Sequence, residues 1–232
     1  MKMARSQDNA IITVDDLWRS YRRGAETINA CAGVSLAIAR GDMVAIVGRS
    51  GSGKTTLLNQ IGCLDSPSRG RIMIAGADVT GLAENRLVVF RRKQIGFIFQ
   101  LFYLIPTLTV WENVELPLIF SRQRSKKTVA DALNRVGLLE QKDFLPAHLD
   151  GGSMQKVAIA RALVNNPSIL LADEPTGRLE ARTKEIILGL LNRLWRDGLT
   201  VIIATHDLKL AEKCKRIIRL ADGKIIEDRR TA

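Results

Sequence analysis

The eight residues Gly48 to Thr55, GRSGSGKT, constrain this chain more than any other stretch. They fit the pattern G-x-x-x-x-G-K-[ST], and their setting matters as much as their letters. Met43 to Val47 is a short apolar run that reads as a buried strand, and Thr56 to Ile61 continues as a helix. A strand, a glycine-rich loop and a helix in that order aim backbone amides at an anion. Glycine lets the backbone come close, and a helix N-terminus carries unsatisfied N–H groups. The candidate phosphate site is therefore Gly48, Arg49, Ser50, Gly51, Ser52, Gly53, Lys54, Thr55 and Thr56. Lys54 supplies positive charge for the β- and γ-phosphates, and the Thr55 hydroxyl is a candidate Mg2+ ligand. A glycine-rich turn with a chance lysine would not be expected to carry both the strand and the helix.

The rest of the chain agrees with an α/β fold built on a mostly parallel sheet. Val44–Val47, Ile169–Ala172 and Val201–Ala204 are continuous apolar runs, as strands covered on both faces require. Ile11–Val14, Val34–Ile38 and Arg71–Ile74 alternate instead, with Gly and Asp nearby, and suit a smaller antiparallel sheet. Between Gln100 and Asp150 the pattern turns helical, best over Trp111–Phe120 and Thr128–Val136. With no low-complexity linker and no repeat, the expectation is one domain over residues 1–232, with a helical subdomain inserted at about 101–160.

Two further segments carry chemistry. Ile169 to Glu174 is an apolar strand ending in two carboxylates. Asp173 at the strand end suits Mg2+, and Glu174 can polarise a water that attacks a γ-phosphate. His206 follows the apolar run Val201–Ala204, where an imidazole could bond the γ-phosphate and orient that water. Gln100 closes the segment Ile95–Phe99, and its amide could ligate Mg2+ and sense the γ-phosphate. Tyr21, upstream, is a candidate for stacking on adenine. Finally, residues 149 to 163 read LDGGSMQKVAIARAL. Here Gly151 and Gly152 open a run whose apolar residues Val157, Ile159, Ala160 and Leu163 recur at helical spacing, with Asp150 placed as an N-cap.

Composition narrows the classes. The net charge of +11 gathers at Arg91–Lys93, Arg122–Lys127 and Lys209–Arg219. It suits a nucleotide, a nucleic acid or an anionic membrane face, or simply a solvated surface. Aromatics make up only 5% and are not interleaved with the basic clusters, so no nucleic-acid partner is expected. No apolar run approaches the ~20 residues of a bilayer span, and MKMARSQDNA has no apolar core of a secretion signal. Three widely spaced cysteines, Cys31, Cys63 and Cys214, fit neither a disulfide framework nor a metal site and read as buried small hydrophobes in a reducing setting.

The order Tyr21, phosphate loop, Gln100, LDGGS, Asp173–Glu174 and His206 resembles the ATP-binding-cassette (ABC) ATPases, whose signature is usually LSGGQ followed by QRVAIARAL. The stretches LFYLIPTLTVWENVELPL after Gln100 and ALVNNPSILLADEPTG from Ala162 are similar to the lipoprotein-releasing and macrolide-exporting subgroup. The resemblance implies ATP and Mg2+ as ligands and places Asp150, Gly151, Gly152 and Ser153 at the nucleotide of an opposing subunit. Two cassettes would close head to tail around two ATP molecules. Closure would drive an integral membrane permease, expected as a separate chain, with the cassette peripheral on the cytoplasmic face. Leu101 to Pro106 would lie beside the groove that receives the permease.

The chain departs from the family pattern at Asp150 for Ser, Ser153 for Gln, Lys156 for Arg, Glu180 for Asp, and Arg49 where Pro or Ser is common. These changes fall on the face offered to the partner. A homodimer with a slowed cycle is favoured, and pairing with a different cassette is the other reading. A carboxylate at position 150 would repel a γ-phosphate, so a nucleotide-responsive regulatory subunit with weak hydrolysis is the functional alternative. A soluble repair or translation ATPase would need a long coiled coil or tandem cassettes, neither of which the sequence contains.

Overall fold

A computed structural model describes residues 9–24, 26–121 and 125–231. The N-terminal MKMARSQD and the Arg122 end of one basic cluster lie outside them. In chain order the elements are β1 (Ala10–Arg23), β2 (Glu26–Ala39), β3 (Met43–Val47), α1 (Lys54–Ile61), β4 (Arg69–Ile74), β5 (Ala77–Asp78), α2 (Glu84–Gln94), β6 (Ile95–Ile98), α3 (Val110–Ser121), α4 (Lys126–Val136), α5 (Gly151–Leu163), β7 (Ile169–Asp173), α6 (Ala181–Arg196), β8 (Thr200–Thr205), α7 (Leu208–Ala211), β9 (Arg216–Ala221) and β10 (Lys224–Arg230).

A six-stranded sheet in the order β10-β9-β3-β8-β7-β6 forms the centre. Its β9, β3, β8, β7 and β6 pair in parallel, and β10 returns antiparallel at one edge. Alternate residues of each inner strand feed two separate cores. Met43, Ala45, Val47, Leu170, Ala172, Val201 and Ile203 face the helical side with α3 to α6. Val44, Ile46, Ile169, Leu171, Ile202 and Ala204 face α1 and the second sheet. Burial on both faces is why these strands read as unbroken apolar runs.

The second sheet, β2-β1-β4-β5, is antiparallel. Its first two strands are 14 residues each, far longer than the stretches Ile11–Val14 and Val34–Ile38 that alternate in sequence. Register shifts at Val14/Leu17, Leu17/Trp18 and Arg19/Ser20 interrupt the period of two. A bulge turns the next side chain to the other face, so alternation ends while the strand continues.

The helical pattern between Gln100 and Asp150 becomes α3 and α4, within two residues of the expected spans. Next, α5 packs on α3 and α4 and also on β6, so it belongs to the helical layer and to the central sheet at once. Asp150 caps it as expected: its Oδ1 accepts from the Ser153 N–H at 2.6 Å. The three cysteines are free and buried, and burial pushes their thiols up to about 11 or 12.

Candidate functional site

The carboxyl ends of β3, β7 and β8 stand side by side, which is where open parallel sheets bind ligands. A cavity of about 740 Å3 opens there. Ala30, Arg49, Ser50, Gly51, Gly53, Lys54, Thr55, Thr56, Gln100, Glu174 and His206 line it. Most residues named from the sequence are thus brought to one place, from segments spread over the chain.

The loop after β3 is shaped by close packing. Gly53 has φ 99°, and a Cβ there would sit 2.2 Å from the Ala30 carbonyl oxygen, so only glycine fits. Gly48 and Ser52 lie on the underside, against Leu220, and line a separate cavity of about 460 Å3. The Lys54 ammonium is mostly buried and donates to the Gly48 and Arg49 carbonyls at 2.9 and 3.0 Å. It is folded back along its own loop, with its charge at the cavity floor.

Thr55 heads α1 and donates its hydroxyl to Asp173 Oδ2 at 2.9 Å, across 118 residues of sequence. Asp173 Oδ1 is buried with no hydrogen-bond partner. Burial raises the Asp173 pKa, the Thr55 bond and Lys54 oppose the rise, and Glu174 adds to it. A buried carboxylate oxygen without a donor is costly unless a cation or water meets it. The orphaned oxygen, the adjacent hydroxyl and the Gln100 amide form a hard, oxygen-rich set that fits Mg2+.

Glu174 follows β7 in a left-handed conformation, φ 47°, a strain of order 1–3 kcal/mol for a residue with a Cβ. Its amide donates to the Ala204 carbonyl at 2.8 Å, which pins the turn between β7 and β8. Oε2 accepts from the Thr205 hydroxyl at 3.0 Å, while Oε1 accepts from the His206 amide at 3.0 Å and meets its Nδ1 at 2.7 Å. A carboxylate oxygen accepts here, so Nδ1 carries the proton and Nε2 is the ring's uncommitted nitrogen. The imidazole is largely exposed and the carboxylate is mostly buried.

Other predicted residues sit elsewhere. Tyr21 does not line the cavity; its hydroxyl donates to Asp65 at 2.8 Å and Arg19 lies 4.7 Å over its ring. Asp150, Gly151, Gly152 and Ser153 do not line it either. They form the start of α5, Asp150 exposed, Gly151 and Ser153 half-buried and Gly152 buried, beside the start of α6, where a Cβ on Gly152 would come within 2.6 Å of Thr183 Cγ2. Three contributors were not named from sequence. Thr205 orients Glu174; Gln155, fully buried, donates to the Pro175 carbonyl at 2.7 Å and ties α5 to the turn after Glu174. Arg161 donates to the carbonyls of Phe102 and Tyr103 at 2.8 and 2.6 Å, holding the loop after Gln100. Thr205 was readable beside His206 as a hydroxyl at a strand end; the other two depend on folds of α5 that no local pattern announces.

A second feature, a groove of about 520 Å3, runs between α2, β6, α3 and α5. Leu64, Val88, Phe97, Leu116, Pro117 and Phe120 line it, with Arg91, Arg92 and Arg161 among them.

The chain's sequence matches known proteins over nearly all its length. Residues 31–177 match the family described as ABC transporter, and the chain belongs to that family as an ATPase domain. The macrolide export ATP-binding/permease protein MacB of Bdellovibrio bacteriovorus is 44% identical over 221 residues, which is 95% of this chain and 34% of that protein. Its namesake in Bartonella quintana is 42% identical over 229 residues, 97% of this chain and 35% of that protein. The chain thus spans about a third of the length of these curated relatives. Among solved structures, a dimeric post-hydrolysis state of the ATP-binding cassette MJ0796 bound to ADP and Pi superposes with a TM-score of 0.88 at 42% identity, over 95% of this chain and 99% of that one. The protein cbiO1 from Clostridium perfringens, part of an ABC transporter complex, gives 0.84 at 30% identity over 95% and 88%. The fold is that of the ABC ATPases: a parallel core sheet, an antiparallel β sheet and a helical layer. No comparison favours a regulatory, weakly hydrolysing subunit.

Proposed function

We propose that this cassette hydrolyses Mg2+-ATP as one of two copies that close head to tail over two nucleotides, and that closure powers a membrane permease of the lipoprotein-release or macrolide-export kind. The observation that carries it is the Glu174–His206–Thr205 cluster at the mouth of the phosphate-loop cavity, beside Asp173 and Thr55. Residues Gly48 to Thr56 wrap the phosphates with amides and the Lys54 charge, and Lys54 leaves its own loop carbonyls to do so. Thr55, Asp173 and Gln100 would hold Mg2+, which neutralises charge developing on the phosphates. Glu174 is the general base for water. His206 Nδ1 and Thr205 fix its orientation, and Nε2 accepts from a water or, as imidazolium, donates to the phosphate.

Membrane attachment at the cytoplasmic face is part of this proposal, and one surface feature supports it. No helix among the described residues is long and apolar enough to cross a membrane. The groove between α2 and α3 offers Phe120, 70% exposed, and an apolar floor rimmed by arginines to a helix of the permease. A permease carried on a separate chain or joined to the cassette would use it alike. The decisive experiment is steady-state hydrolysis by the protein and its Glu174→Gln variant. Turnover should fall by about 100-fold or more, with nucleotide binding kept. Turnover at the unmutated rate would remove Glu174 as the base.

A further inference from the structure

Among the described residues, the fold leaves an exposed arginine and an exposed aspartate without ion-pair partners. Arg49 is exposed on the rim of the nucleotide cavity, and among the described residues no carboxylate pairs with its guanidinium. Asp150 is exposed at the start of α5, where its Oδ1 accepts from the Ser153 N–H; the Ser153 side chain, the Gly152 N–H and the Lys156 charge also act on the carboxylate, and no arginine or lysine forms an ion pair with it among the described residues. The start of α6 is adjacent, since a Cβ on Gly151 would touch Leu179 and one on Gly152 would touch Thr183. Glu180, the N-cap residue of α6, is exposed there too and makes no side-chain cap bond. Arg49 thus stands on the rim of the phosphate site, and Asp150 and Glu180 stand at two adjacent helix starts, with Lys156, Arg178 and Arg182 close to them in sequence. A two-fold pairing that sets one residue against another also sets the second against the first, so a single complementary pair acts twice per dimer.

Resting on the proposal that two cassettes close over two nucleotides, we infer that Arg49 of one copy and Asp150 of a second copy of this chain form an ion pair across the closed dimer. Without it, closure would press the Asp150 carboxylate toward the terminal phosphate in a partly dry site, and like charges a few ångströms apart repel strongly there. A guanidinium has five donors in a rigid fork and can serve a carboxylate and a phosphate oxygen together. The dimeric state of the cassette MJ0796, 42% identical to this chain, supports a second copy as the occupant. The pair also chooses the partner. A cassette lacking either charge would leave the other facing an unpaired group, so this chain favours its own kind.

The test uses the Glu174→Gln protein with Mg2+-ATP and reads the dimer dissociation constant by sedimentation. Arg49→Glu and Asp150→Lys, made separately, should each weaken the dimer by about tenfold or more. An equimolar mixture of the two should recover to within about threefold of the parent, because one interface then keeps the native pair and the other carries it reversed. Nucleotide is held well above each variant's own dissociation constant for a fluorescent ATP analogue, so weaker binding cannot pass for weaker pairing. If charge reversal in the phosphate loop abolishes nucleotide binding, the neutral cycle of Arg49→Gln and Asp150→Asn reads the same coupling, and additive effects overturn the pair. A parent that forms no ATP-dependent dimer overturns the two-cassette reading and the pair with it. A parent that dimerises, with a mixture no better than the single variants, overturns the pair alone.

Discussion

Asp150 does local work as well as facing outward. Its carboxylate caps α5, and the Ser153 N–H, first among the causes, holds its pKa below the ordinary carboxylate range while burial opposes. A folded pKa below the unfolded one means the stabilisation is fully present above the unfolded value. It fades as pH falls through the folded one. Asp150→Ala should therefore cost about 1 kcal/mol, a loss of about 2–4 °C in Tm at pH 7, and less below about pH 4. Asp150→Asn, which keeps an acceptor at the cap but not the charge, should melt between the parent and Asp150→Ala at pH 7. Thermal melts at pH 7 and pH 3 check both; an equal loss at the two pH values would assign it to something other than the ionised cap. Sequence pattern named Lys54, Thr55 and Glu174, which line one cavity, and Asp173, which accepts the Thr55 hydroxyl bond beside it. Tyr21 does not line the cavity: bulges interrupt β1 and its hydroxyl donates to Asp65. His206 was readable as a candidate, yet its bond to Glu174 comes from β7 and β8 being neighbours in register, which the sequence does not state.

Legibility of the elements follows their burial. β3, β7 and β8 are covered on both faces and so stand out as apolar runs, whereas β10 alternates exposed with half-buried residues and carries no such mark. The resemblance to the ABC ATPases places Leu101 to Pro106, after Gln100, beside a groove. In the structure Tyr103 is exposed at φ 46° while Phe102 is half-buried against the core, and both give their carbonyls to Arg161. Desolvation pulls the Arg161 pKa down, and no carboxylate pairs with it among the described residues, so its charge is committed to two backbone carbonyls. That makes α5 a connector: its first turn carries Asp150, its middle holds the Pro175 carbonyl through Gln155, and its end holds the loop after Gln100. Arg161→Ala should speed amide exchange over residues 101–108 by about tenfold or more and destabilise the fold by about 1.5–3 kcal/mol. Exchange confined to its wild-type rate would show that side-chain packing alone, from Phe102 and Leu104 on the core, holds the loop.

At the scale of the whole molecule, the phosphate-loop cavity draws on both sheets. Ala30 comes from β2 of the antiparallel sheet, the phosphate loop from β3, and Gln100, Glu174 and His206 from the ends of β6, β7 and β8. A ligand that binds all five segments stabilises the folded chain as a unit, by RT ln(1 + [L]/Kd). For Glu174→Gln protein at about 100 times Kd the gain is about 2.7 kcal/mol, a rise of about 5–10 °C in Tm. Chelating Mg2+ should remove much of that rise. Asp173 Oδ1 is buried without a donor, and without a cation it faces the phosphates as a like charge. The same rise should be small in Lys54→Ala, each variant being compared with its own nucleotide-free melt because Lys54 also braces the loop through the Gly48 and Arg49 carbonyls. A shift indifferent to chelation would count against Thr55 and Asp173 as metal ligands, since their geometry gains its meaning only from a cation between them and the phosphates. A shift that also grows with protein concentration would mark closure of two copies over the nucleotide, because only an associating system couples its Tm to its own concentration.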